Sequence, residues 1–219
     1  MIRATFDTST NEAVFALFKN DEEIFSVTRE CQRGASKLLP WINASIQKSG
    51  YHISDVEQWL VGKGPGSFTG IRVGIAFVKG VCFGSGAVYK GVNSGFAYLY
   101  PFIDRDDVSE ITVLHDGRKS EVICNKFIRE GQAWLEEGVD VLRVEDLRPE
   151  LFKGPLVTQM DLDTFPEGIR PSIESIISLQ AGHLREDRSA FPDTKSAMEA
   201  SCEPIYVRPA VFVQPAKKK

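Results

Sequence analysis

The chain has 219 residues, of which 42% are hydrophobic and 26% are charged, a composition typical of a soluble globular protein. Its formal net charge of −4 argues against a dedicated nucleic-acid-binding protein, which normally presents a strongly basic face. No uninterrupted apolar run approaches the roughly 18 residues of a membrane span, and the N-terminus lacks the hydrophobic core of a signal peptide, so we expect a cytoplasmic protein without a membrane partner.

The first half of the chain begins with three predicted strands. Apolar residues alternate from Ile2 to Phe6 and end at the polar segment Asp7–Asn11, a turn signal because Asp, Ser and Asn side chains bond to nearby backbone. Apolar stretches at 13–18 and 24–28 follow, separated by a polar break, which predicts a three-stranded meander. The elements predicted next are a helix over Ser36–Ser49, a strand at Gln58–Gly62 and a helix over Thr69–Gly84.

The second half repeats this order. Three residue pairs share an offset of 109 positions: Asp7 and Asp116, Glu12 and Glu121, and Phe18 and Phe127. A shared register at half of the chain length predicts internal duplication, although two meanders can also match by chance. The further elements predicted here are a short helix around Val144–Leu151, a strand at Pro155–Met160 and a helix across Arg170–Leu184.

These elements predict an α/β protein made of two βββαβα lobes, residues 1–100 and 101–219, that face each other across a cleft. This is the RNase H-like architecture of actin, sugar kinases and Hsp70. The first lobe would carry the glycine-rich loop and the partner-binding helices described below. The second lobe would carry the C-terminal segment.

A glycine-rich segment at 62–72 lies between the strand and the second helix of the first half. Its Gly-Pro-Gly sequence forces a tight turn, and Ser67 or Thr69 can cap the helix. Exposed N–H groups at a helix start favour an anion, but the GxxxxGK[ST] pattern is missing. The spacing therefore favours a structural turn over a degenerate phosphate loop. The candidate phosphate-loop positions are Asp7, Thr8, Ser9, Gly64, Gly66, Ser67 and Thr69.

The two helices of the first half are more apolar than one lobe needs. Between Thr69 and Gly84 only Arg72 and Lys79 are charged, and a helix that is apolar on all sides must be covered on all sides. We therefore predict a helix-on-helix subunit interface, with packing inside the lobe as the alternative. The predicted partner-binding residues are Leu38, Leu39, Ile42, Ile46, Gly70, Ile71, Gly74, Ile75 and Val78.

Residues that could perform catalysis are sparse. The three histidines, His52, His115 and His183, are far apart and form no HxxxH or HExxH zinc pair, and Ser67 has no recognisable histidine base. The four cysteines include no CxxC pair and fit reduced, buried thiols. We therefore predict no catalytic residue, no metal site and no cofactor of the chain's own.

Several motifs together resemble the TsaB (YeaZ) family. They are DTST at 7–10, GPGSFTGIRVG at 64–74, GVNS at 91–94, DGR at 116–118 and PIYVRP at 204–209. The resemblance covers essentially the whole chain and implies a non-catalytic subunit of the bacterial machinery that makes N6-threonylcarbamoyladenosine beside the tRNA anticodon. It implies a TsaD-like catalytic partner and a TsaE-like ATPase, with ATP and metal on those partners and tRNA contacted through the complex.

Other interpretations stay open at this point. The chain could form a homodimer when its partner is absent. The turn at Asp7 and the glycine-rich loop are compatible with a stand-alone ATPase or kinase of the actin-like superfamily. A glycoprotease-like peptidase is the remaining alternative, but it lacks a nucleophile–base pair in this sequence.

Overall fold

The computed structural model describes residues 1–30, 37–102, 105–131, 133–173 and 191–207. The first lobe contains β1 (Ile2–Asp7), β2 (Glu12–Lys19), β3 (Glu22–Glu30), α1 (Leu38–Lys48), β4 (Gln58–Gly62), α2 (Phe68–Ser85) and β5 (Val88–Val92). A 3-10 helix, Ser94–Phe102, leads to the second lobe. That lobe contains β6 (Glu110–Arg118), β7 (Glu121–Glu130), β8 (Ala133–Arg143), β9 (Leu156–Thr158) and β10 (Ser172–Ile173), followed by helix α3 (Lys195–Ser201).

The two sheets have the same strand order, and this confirms the predicted duplication. The order is β3-β2-β1-β4-β5 in the first lobe and β8-β7-β6-β9-β10 in the second. In each lobe the first strand pairs antiparallel with the second strand and parallel with the fourth. The α/β fold with two duplicated, RNase H-like lobes is therefore confirmed.

The offset of 109 positions holds for the first strand of each lobe and then shifts. Asp7 pairs with Val14, whereas Asp116 pairs with Val122, so the second hairpin is one residue shorter than the first. The second hairpin also contains a register irregularity after Asp116. The duplicated lobes have thus diverged at the turn that carries their matching aspartates.

Two predicted helices of the second lobe are wrong in the described residues. The predicted helix at Val144–Leu151 is two separate 3-10 turns, because Pro149 has no N–H to donate into a continuous helix. Where a helix was predicted from Arg170, Ser172–Ile173 instead pairs parallel with β9 as strand β10. The remainder of that predicted helix, 174–184, lies outside the described residues.

The core of the first lobe lies between its sheet and its two helices. Ile42 and Ile46 of α1 and Ile71 and Val78 of α2 are buried in one cluster with Trp59 of β4. Burying a side chain of this size contributes about 1.5–3 kcal/mol relative to leaving it exposed. This core holds both helices on the sheet.

The core corrects part of the predicted partner-binding set. Gly70 is half-buried, and Leu39 is 50% exposed. The seven other members of the predicted set are buried, namely Leu38, Ile42, Ile46, Ile71, Gly74, Ile75 and Val78. A partner cannot touch a buried side chain while the lobe stays folded, so these seven residues support the helices from inside and do not form a contact surface. That a partner binds these helices stays a prediction.

Helix α2 is long and apolar enough to cross a membrane by length and mean hydropathy alone. Its residues Ile71, Ile75, Val78 and Cys82 are nevertheless part of the first-lobe core. A helix with one face buried against a sheet is a core helix of a soluble protein. Helix α2 is accordingly part of the first-lobe core.

The two lobes share a second apolar core. Leu60 of β4 and Val157 of β9 belong to one buried cluster, and in that cluster the ring of Phe96 meets the ring of Phe127 with centroids 4.8 Å apart. A buried hydrogen bond of 2.9 Å from Asn125 Nδ2 to the Oδ1 of Asn93 also joins the lobes. The lobes are therefore in direct apolar and polar contact below the cleft.

Ile42 and Leu39, both in α1, test the assignment of one face of this helix to the core and the other to the surface. We expect Ile42→Ala to lower the free energy of unfolding by about 2–5 kcal/mol, because it leaves a cavity in a packed core. Leu39→Ala should lower it by less than about 1 kcal/mol, because Leu39 is half exposed. Urea titration monitored by tryptophan fluorescence measures both values, and equal losses would contradict the assignment.

Candidate functional site

The glycine-rich segment joins β4 to α2 and is tied to the turn between β1 and β2. Ser67 caps α2, since its Oγ accepts a hydrogen bond from Gly70 N. Ser67 N donates to the carbonyl oxygen of Ser9 over 2.6 Å, and Thr8 Oγ1 donates to the carbonyl oxygen of Gly70 over 2.7 Å. The first turn of the helix is thus bound to the polar turn that follows β1.

Asp7 is the centre of this arrangement. Its side chain is buried, with 1% of the residue exposed. Oδ1 accepts hydrogen bonds from the N and Oγ of Ser9, each at 2.6 Å, and Oδ2 accepts one from Ser94 Oγ at 2.6 Å. A Cβ at Gly62 would collide with the Asp7 carboxylate, so β4 must end in glycine. Asp7 therefore joins three separate segments of the first lobe.

The remaining predicted phosphate-loop positions are also used internally. Gly64 N donates to Ser94 Oγ over 3.1 Å, and a Cβ at Gly66 would collide with the carbonyl of Ser9. Thr69 is exposed on the first turn of α2. With the N–H groups of Gly64, Ser67 and Gly70 all bonded to protein atoms, the geometry is that of a structural turn. A phosphate at this loop stays a prediction.

A cleft of about 650 Å³ opens beside this loop, between the two lobes. The first lobe lines it with residues of 9–12 and 66–67, and the second lobe lines it with residues of 114–118 and 159–164. Its floor is formed by buried residues, among them Tyr98 and His115, whereas Asp116 and Arg118 are exposed at its rim. The cleft predicted between two lobes is therefore present.

His115 is the most unusual residue of the cleft. It is 5% exposed, and its ring stands edge-on to the ring of Tyr98 with centroids 5.6 Å apart. Burial lowers the pKa of the imidazole to about 4, because a low-dielectric environment penalises the charged form. Its Nε2 is buried, and no hydrogen-bond partner for it exists among the described residues. The neutral ring thus carries an unsatisfied polar atom.

The solvent-facing side of α2 is nearly uncharged. Thr69, Arg72, Ala76, Gly80 and Phe83 are exposed, and their spacing of three or four residues places them on one face of the helix. The side chain of Phe83 is 88% exposed. A large aromatic side chain so exposed, beside small residues, is typical of a contact surface. We call these five residues the α2 face.

The C-terminal motif closes over the start of the same helix. Ile205 N donates to the carbonyl oxygen of Lys63 over 2.8 Å. Tyr206 accepts a hydrogen bond of 2.7 Å at its hydroxyl from Arg72 Nε, and the Arg72 guanidinium lies 3.8 Å from the centre of the Phe68 ring. The one charge of the α2 face is thereby held at its N-terminal end.

One family model and two curated bacterial proteins are similar to this chain. The sequence model of the family described as "TsaD: tRNA N6-adenosine threonylcarbamoyltransferase" matches residues 30–150. The "tRNA threonylcarbamoyladenosine biosynthesis protein TsaB" of Haemophilus influenzae is 30% identical over 125 residues, which are 57% of this chain and 52% of that protein. The TsaB protein of Escherichia coli K12 is 27% identical over 147 residues, which are 66% of this chain and 62% of that protein. The chain belongs to the TsaB (YeaZ) family.

A solved structure supports the fold of this TsaB-family chain. YeaZ from Pseudomonas aeruginosa superimposes with a TM-score of 0.71 and covers 94% of this chain and 99% of that one, at 20% identity. The sequence alignments with the two curated TsaB proteins span 52% and 62% of those relatives' length, less than two thirds in each case. The match to the family model includes α1, the glycine-rich loop and α2.

Sequence reasoning did not find two parts of this TsaB-family site. Ser94 lies in the GVNS motif at 91–94, but no pattern in the sequence indicates that its hydroxyl reaches the carboxylate of Asp7. In the sequence His115 is one of three widely spaced histidines. His115 lies in a buried strand and directly precedes Asp116, which matches Asp7 of the first lobe. This position is the signal that could have placed His115 in the cleft.

The Asp7 network predicts a stability loss. Ser94→Ala removes the hydrogen bond to Asp7 Oδ2 and leaves a buried carboxylate oxygen unsatisfied, so we expect a loss of about 1–3 kcal/mol in the free energy of unfolding. Ser109→Ala, at an exposed serine, is the control and should change stability by less than about 0.5 kcal/mol. Thermal or urea unfolding measures both, and a neutral Ser94→Ala would contradict the role of the network.

His115 predicts a specific acid sensitivity. The unfolded chain binds a proton near the ordinary pKa of 6.5, whereas the folded chain resists protonation down to about 4. Stability is therefore complete above the unfolded pKa and falls as the pH drops through it, by roughly 2 kcal/mol at about pH 5. His115→Gln should remove this part of the acid loss in urea titrations at neutral and acidic pH, and the exposed-site variant His52→Gln should keep it. An unchanged pH dependence in His115→Gln would be the contrary result.

Proposed function

We propose that this TsaB-family chain is a non-catalytic subunit that binds and activates a TsaD-like subunit during formation of N6-threonylcarbamoyladenosine next to the anticodon of tRNA. The observation that carries the proposal is the α2 face, with Phe83 almost fully exposed. The relatives' names place TsaB proteins in this biosynthesis. The net charge of −4 supports contact with tRNA through the complex and not by this chain alone.

The state of Asp7 supports a non-catalytic role. Each of its carboxylate oxygens already accepts a hydrogen bond from a serine of the same lobe. A catalytic aspartate must be open to a metal ion or an attacking group, whereas Asp7 is only 1% exposed. In this chain the carboxylate instead organises the scaffold, and we assign ATP and metal to the TsaD-like and TsaE-like partners.

The composition of the α2 face defines what the TsaD-like partner must offer. Ala76 and Gly80 are small, so a second helix can approach the backbone of α2 closely. Phe83, at the C-terminal end of the α2 face, is large and exposed enough to serve as an anchor in a partner pocket. Leu39 on α1 is also exposed. We therefore propose a helix-on-helix contact in the cytoplasm, to which a TsaE-like ATPase is added.

Binding to the TsaD-like subunit of the same organism tests the proposal. We expect Phe83→Asp to weaken the complex at least about 30-fold, because a buried anchor contributes roughly 2 kcal/mol or more. Calorimetric titration and co-purification measure this, and threonylcarbamoylation of tRNA by the reconstituted subunits should fall in parallel.

The control is Leu151→Asp, because Leu151 is a 44% exposed leucine of the second lobe. This variant should bind the TsaD-like subunit like the unmodified chain. No complex at all, or equal binding by both variants, would overturn the proposal. Turnover of ATP by the purified chain alone would support the stand-alone ATPase instead. If the chain self-associates through the same face, Phe83→Asp should also convert its dimer to a monomer.

A further inference from the structure

The cleft between the lobes is lined by a residue with a buried polar atom that the described residues leave without a partner. Nε2 of His115 is buried and unbonded in this part of the chain, although unpaired buried polar atoms are rare in native proteins and each needs an explanation. The imidazole is neutral, so one of its nitrogens donates and the other accepts. Because His115 lines the cleft, a molecule in the cleft is within reach of its ring.

Two further residues that line the cleft, Gln159 and Ser67, can each still donate a hydrogen bond to a ligand. Tyr98 donates its hydroxyl proton to Gln159 Oε1 over 3.2 Å, so the amide nitrogen of Gln159 remains able to donate. Ser67 Oγ accepts from the backbone of α2 and keeps its own proton for donation. The floor therefore suits a polar, uncharged group.

The rim carries two opposite charges that do not pair with each other. Asp116 and Arg118 both line the cleft and are exposed. Asp116 Oδ1 accepts a hydrogen bond of 2.7 Å from the backbone N of Arg118, not from its guanidinium. No ion pair or hydrogen bond engages that guanidinium within the described residues. A carboxylate and a guanidinium two residues apart are thus both available to a ligand.

The charge balance excludes a bare polyphosphate. Among the described residues of the lining, Glu12, Asp116 and Asp161 contribute three carboxylates and Arg118 contributes one cationic side chain. A polyanion would be repelled by this surplus of negative charge, and the N–H groups of Gly64, Ser67 and Gly70 are already bonded to protein atoms. A ligand that carries one positive and one negative group fits the rim better.

We propose that the cleft binds a small zwitterion with an amino-acid head group. Its ammonium lies between Asp116 and Asp161, its carboxylate pairs with Arg118, and its body reaches Gln159 and His115 on the floor. The volume of about 650 Å³ is within the range of small-molecule sites, which are typically about 300–1,000 Å³. Charge-assisted hydrogen bonds at both ends of the head group supply the selectivity.

Calorimetric titration of the full chain with each standard L-amino acid tests this inference. We expect at least one amino acid to bind. Its N-acetyl and its amide derivatives, which each lack one charge of the head group, should bind at least about tenfold more weakly. Arg118→Gln and Asp116→Asn should each weaken binding by a similar factor, and His115→Gln should change which amino acid binds best.

Lys119→Gln is the matched control, because Lys119 is exposed next to Arg118 but does not line the cleft. It should bind like the unmodified chain. The inference is overturned if no standard amino acid binds, if the derivatives bind equally well, or if Mg-ATP binds and amino acids do not. Binding of the TsaD-like subunit by Arg118→Gln should stay intact, so the failure of this inference and that of the proposed function are distinguishable.

Discussion

A buried carboxylate organises the first lobe. Asp7 has 1% of its surface exposed, and a carboxylate removed from water is stable only when hydrogen bonds replace its hydration. Ser9 and Ser94 provide those bonds, and Gly62 leaves the space for it. The positions of the β1–β2 turn, the glycine-rich loop and the connection to the second lobe all follow from satisfying this one group.

The matching aspartates of the two lobes have different surroundings. Asp116 occupies the matching position of the second lobe but is exposed, with Oδ1 bonded to the backbone of Arg118. Its hairpin is one residue shorter, and among the residues that the structure describes no serine makes bonds to Asp116 like those that Ser9 and Ser94 make to Asp7. Asp7 therefore connects segments of the first lobe, whereas Asp116 is exposed at the rim of the cleft.

Much of the fold follows from the sequence, and the parts that do not have physical causes. The predicted strand at Gln58–Gly62 has the bounds of β4, and α2 begins and ends within a residue of Thr69–Gly84, because local periodicity and the Ser67 cap specify them. Strand β10 depends on pairing with β9, distant in the chain, which no local pattern contains. Apolarity alone could not separate the buried Val78 of α2 from the exposed Phe83, since α2 is apolar on both sides.

The apolar contact between the lobes has a mechanical consequence. Domains joined by a small or wet interface rotate against each other, whereas a large hydrophobic interface resists such rotation. Here the edge-to-face rings of Phe96 and Phe127 and the buried amide pair of Asn93 and Asn125 would have to separate before the lobes could move apart. Opening the cleft would therefore disrupt this shared core, and the packing of the core opposes rotation of one lobe against the other.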